Sequence, residues 1–91
     1  MEKKMIQAQA QLMQRASVLM VAGYGTSVYA SCHPHCKLFT FTFADLDVSF
    51  NDEHPFDDAE VESAVAKLDA MIEEHYRKAE FAIEVIKAWR G

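Results

Sequence analysis

Cys32-His33-Pro34-His35-Cys36 is the one stretch of this 91-residue chain where side chains able to ligate or attack crowd together. Two thiols and two imidazoles suggest three chemistries. Zinc normally takes four such ligands from two separated pairs. Here a single cluster straddles a proline, so adjacent Cys32 and His33 would both have to turn toward one ion. That argues against mononuclear zinc within one chain and leaves an ion shared between two chains as the metal reading. A Cys32–Cys36 disulfide would be strained, and a reducing cytosol disfavours it. A thiol nucleophile beside a histidine needs an orienting third group and a pocket, and the sequence supplies neither. The plainest reading is a hairpin loop. Asp45, Asp47 and Ser49 are spaced like the opening of a calcium loop, but Phe50 stands where that loop needs glycine and Phe56 where it needs glutamate. No catalytic set emerges, so neither an enzyme nor a cofactor is expected.

Carboxylates are the other concentrated chemistry. Asp45, Asp47, Asp52, Glu53, Asp57, Asp58, Glu60 and Glu62 fall within residues 38–66, which contain no Lys or Arg. Against a net charge of −5, that segment carries −8 and leaves about +3 for the remainder. Such a balance argues against direct nucleic-acid binding. The acidic run reads as a solvated edge with charges at a helix start, as a docking surface for a basic protein, or, more remotely, as a divalent-cation site. In the second case the carboxylates would occupy a groove meant for phosphates, guided by long-range steering. His54 reads as a loop residue.

The elements that must position these groups centre on Leu38 to Phe50. Phe39, Phe41 and Phe43 alternate with Leu38, Thr40 and Thr42, the period of a strand with one buried face. Leu46, Val48 and Phe50 alternate with Asp45, Asp47 and Ser49, but with the opposite parity. One straight strand would send one of these sets to the wrong face. A two-residue loop at Ala44-Asp45 restores a single face by pairing Phe43 with Leu46, Phe41 with Val48 and Phe39 with Phe50. A bulge in one long strand is the competing solution, and Ala-Asp lacks the glycine that such hairpins favour.

Upstream, Met5, Leu12, Ala16 and Leu19 recur at helical spacing, which predicts a helix over Glu2–Ala22 closed by Gly23; the rival is a short strand at Ser17–Val21. Tyr24–Ser31 reads as a first strand. A four-residue loop, Cys32–His35, would place Tyr24, Thr26 and Val28 on the phenylalanine face. A three-residue loop would place Ser27 and Tyr29 there and set Cys32 opposite Cys36. Downstream, Asp57 as N-cap, Glu60 at N3 and Phe56 stapling onto Val61 announce a second helix. Val61, Val65, Leu68, Ile72, His75, Ala79, Ala82, Ile86 and Trp89 then alternate by four and three, a continuous seam. A helix that long spans roughly 48 Å, against a radius of gyration of about 12 Å for a compact domain of this size. It must therefore bend, break or project. A projecting end exposing Ile83, Ile86 and Trp89 would want a partner, and self-association as a homodimer is the simplest supply.

The expected architecture is α+β, a single α-β-β-β-α domain over residues 1–91: helix, three-stranded antiparallel meander, long helix, with both helices on one sheet face in two layers. In general character the chain resembles the small, acidic, single-domain α/β proteins that phages and mobile elements encode to block host defence, anti-CRISPR proteins among them. No motif carries that resemblance and no residue role follows from it. The expectation is a cytoplasmic, non-enzymatic protein-binding module, an inhibitor of a basic nucleic-acid-handling complex, with the eight carboxylates as its contact surface and no direct contact with nucleic acid or membrane. The alternatives are a homo-oligomeric structural or adaptor protein that uses the long helix, and a metal-binding module at Cys32, His33, His35 and Cys36.

Overall fold

The computed structural model describes residues 2–25 and 27–90. Helix α1 (Glu2–Val21) leads into strands β1 (Val28–His33), β2 (Leu38–Phe43) and β3 (Leu46–Phe50), and helix α2 (Asp58–Arg90) follows. The sheet is an antiparallel meander in the order β1-β2-β3. The hairpin register is the one expected of a two-residue loop, rather than of a bulge, at the parity switch: Phe43 opposite Leu46, Phe41 opposite Val48, Phe39 opposite Phe50. Ala44 makes the turn at φ 52°. A positive φ at the first central position alone is the type II′ pattern, in which glycine is usual. Closing the aromatic face thus takes precedence over the local preference of alanine.

Phe39, Phe41, Phe43 and Phe50 are fully buried, and Met5, Leu12, Ala16 and Leu19 from α1 and Val61, Ala64 and Leu68 from α2 close over them. Both helices therefore cover one face, and the two layers share one core. Each such large apolar side chain contributes about 1.5–3 kcal/mol by leaving water. The opposite face keeps Thr42 and Asp47 exposed.

The chain reverses four times between α1 and α2, twice within the meander and once at each helix–strand junction, and an even number of reversals leaves the two helices parallel. Two ion pairs record this: Lys4 Nζ to Asp58 Oδ2 at 3.2 Å and Arg15 Nε to Asp69 Oδ1 at 2.7 Å, both between residues 54 positions apart. By the same offset α1 ends beside His75. Beyond that level α2 continues unaccompanied, and the molecule measures 60 × 23 × 20 Å.

Three local expectations are corrected. Strand β1 starts at Val28 rather than Tyr24. Gly23, at φ 97°, and Tyr24 instead close α1: Gly23 N donates to Met20 O and Tyr24 N to Leu19 O, a Schellman arrangement that satisfies two terminal carbonyls. Tyr24 then rests edge-on against His75. The β1–β2 loop has four residues as expected, but they are Pro34–Lys37, two positions further on, so that Cys32 pairs with Phe39. Even-numbered Val28, Ala30 and Cys32 still face the phenylalanines; Thr26 lies outside the described residues. Finally, Glu60 does not reach back to complete a capping box. Asp57 Oδ1 accepts from Ala59 N at 2.9 Å, while Glu60 Oε1 holds His54 Nε2 at 2.8 Å.

Candidate interaction surfaces

The Cys-His cluster is split by the hairpin. Cys32 lies on the sheet face that meets the core, and Cys36 is exposed in the single 3-10 turn Pro34–Cys36; both thiols are free. Lys37, at φ 54°, ends that turn with its N–H on Pro34 O. Among the described residues no three His, Cys, Asp or Glu side chains gather so as to hold a metal ion. Alternation explains it: with Cys32 turned inward, its strand neighbour His33 must turn outward. Burial also pushes the Cys32 thiol above its ordinary pKa. Cys36 is therefore expected to be alkylated well before Cys32 at neutral pH, because the thiolate is the reactive form; mass spectrometry over a short iodoacetamide time course reads the order.

Seven of the eight carboxylates are exposed and Glu60 is half-buried, but several of them serve the fold. Asp57 caps α2, Asp58 holds Lys4, Glu60 holds His54, and Asp47 accepts a hydrogen bond from Thr42 Oγ1 at 3.3 Å. His54 also stacks on Phe50 with ring centroids 5.6 Å apart. Asn51 Oδ1 closes the preceding loop by accepting from Glu53 N and His54 N, each at 2.8 Å. Asp45 shares a shallow hollow with Lys67, and Asp52 shares one with Lys37. Cations from outside the acidic segment are thus folded back against it, which sequence order alone could not reveal. Asp45 in the turn before it, Asp47 within it, and Asp52 and Glu53 after it still accompany the edge strand β3.

The third surface is the free end of α2. The seam that is buried at Val61 and Leu68 emerges past Ala79, and Ile83, Ile86 and Trp89 are 51%, 53% and 89% exposed. Tyr76, Phe81 and Val85 are exposed as well. At the foot of this stretch, where α1 stops, Val18, Val21, Ile72, His75 and Tyr76 line an apolar groove of about 540 Å³. The sequence pointed to Ile83, Ile86 and Trp89 but not to the groove, which exists only because the helices are parallel and unequal in length.

No protein-family model, curated protein or solved structure matches the chain. Among the described residues no helix is long and apolar enough to cross a membrane.

Proposed function

We propose that this chain is a non-enzymatic protein-binding module whose working surface is the free end of α2. The observation that carries the reading is the run of exposed large apolar side chains, ending in Trp89, on the part of α2 that extends past the end of α1. Contiguous exposed apolar surface of this kind marks protein contact sites, and tryptophan is a favoured anchor in them. The two free thiols suit a reducing, cytoplasmic setting.

Capture tests it. The chain and its Ile86→Glu/Trp89→Glu variant are immobilised side by side and exposed to cell lysate and to the free chain itself. A protein held by the first and lost by the second is the expected result. Equal capture by both, with circular dichroism showing both folded, overturns the reading.

A second reading keeps the acidic edge as the contact for a basic, nucleic-acid-handling complex, in the manner of a phage-encoded inhibitor. It is favoured by the coincidence of the open edge of β3 with Asp45, Asp47, Asp52 and Glu53. Reversing those four charges together should abolish salt-dependent capture of such a complex and leave the fold intact. Unchanged capture sinks it.

A further inference from the structure

We infer that the free end of α2 is covered by the same stretch of a second copy, antiparallel to it, with Trp89 of each chain seated in the groove of the other. This rests on the reading of that end as the working surface and adds the identity and orientation of its occupant.

Self-complementarity is the first support. A two-fold interface requires one patch to present both the knob and the hole. Trp89 and the groove lie along one face of one helix, ~26 Å apart from Ile72 to Trp89 at 1.5 Å rise per residue. A two-fold axis between Glu80 and Phe81 sets Ala79 against the second copy's Ala82, Ile86 against its His75, and Trp89 against its Ile72. The small pair at the middle lets the helices approach closely, and the large residues meet beside the last turn of α1, over the 540 Å³ groove that this turn forms with α2. Beyond His75 the helix of the second copy then takes up the place that α1 occupies nearer the base.

Charge placement is the second support. On a helical projection Glu73, Glu74, Glu80 and Glu84 all fall outside this seam and its flanks, so no carboxylate of the free end faces the second copy. Two of them are tied along their own helix, Glu73 to Arg77 and Glu74 to Lys78. The orientation follows from the rest of the molecule. Antiparallel pairing sends the two segments of charge −8 to opposite ends of the assembly, well beyond a Debye length of about 10 Å. Parallel pairing would bring them side by side. The exposed apolar side chains on this face, with Val21 at the tip of α1, suit an interface on the scale of the roughly 800 Å² per partner that a stable dimer buries.

The experiment is sedimentation equilibrium with the fluorescence of Trp89, the only tryptophan, as a second readout. The chain should run at twice its own mass, and dilution should return it to a monomer with a red shift of the emission. Ile86→Glu should weaken the association roughly a hundredfold. Phe81→Ser, on the far side of the helix, should leave the mass unchanged. Orientation is read by cross-linking in a Cys32→Ser/Cys36→Ser background under mild oxidation. His75→Cys/Ile86→Cys should link two chains, whereas Ile86→Cys alone should not. A monomer at all concentrations overturns the inference; if the paired capture experiment still distinguishes the Ile86→Glu/Trp89→Glu variant, the binding surface stands and its occupant is a different protein. A dimer unaffected by Ile86→Glu, or one cross-linked by Ile86→Cys alone, overturns it too.

Discussion

The two halves of α2 have the same apolar spacing and opposite fates. From Val61 to Ile72 the seam lies against α1 and β3, and Val61, Ala64 and Leu68 are buried. Past Ala79 the same spacing continues with no other described part of the chain over it, and Trp89 is almost fully exposed. Helical periodicity therefore specifies which side of a helix wants cover and is silent on who provides it. The length of α1 decides the boundary. Its Schellman closure at Gly23 stops it beside His75, and α2 passes that point uncovered.

The sharpest way to break this contrast is to truncate one seam residue in each half. Leu68→Ala should cost about 2–5 kcal/mol, because a fully buried leucine leaves a cavity. Ile86→Ala, measured in solution dilute enough to be monomeric, should change stability by less than about 0.5 kcal/mol. Urea denaturation of both variants reads the difference, and equal costs would mean that the free end is part of the folded core. Hydrogen exchange draws the boundary residue by residue: in the same dilute solution amides of 61–75 should exchange at least roughly a hundredfold more slowly than those of 80–90, since the free end can open locally. Glycine scanning gives a smaller signal. Ala70→Gly should cost about 1 kcal/mol and Ala88→Gly less than about 0.3 kcal/mol, by urea midpoint, because a fraying end has less helix to lose. Smallest is the Arg15–Asp69 pair that clamps the covered half to α1 at 2.7 Å. A double-mutant cycle there should give under ~1 kcal/mol, as the pair is partly exposed and screened.

Much of the fold can be read directly from residue order. The parity switch between Phe43 and Leu46 admits a two-residue turn or a bulge, and the chain takes the turn, with Ala44 at φ 52°. The N-terminal signature at Phe56-Asp57 locates the start of α2; residue order leaves open whether that helix bends, breaks or projects, and it runs unbroken to Arg90. What residue order hides is tertiary pairing. Tyr24 looks like the start of a strand, yet it serves as the residue after a helix-ending glycine and packs on His75, fifty-one positions away. The acidic run looks uniform, yet Asp58 and Glu60 are claimed by Lys4 and His54. Cys32 and Cys36 look like neighbours, yet the strand turns one inward and the loop turns the other out. The groove between Val18 and Tyr76 belongs to neither helix alone.

The unbroken course of α2 also turns its free end into a ruler with a phase. Each residue added or removed between His75 and Trp89 moves the indole by ~1.5 Å along the axis and swings it by ~100° around it. Deleting one residue there would swing Trp89 about 100° away from the seam and leave the buried core untouched. Adding seven would restore its heading to within about 20° and set it ~10 Å further out. Reach and aim in this molecule are therefore quantities encoded by counting, adjustable in steps of four or seven residues and spoiled by steps of one or two.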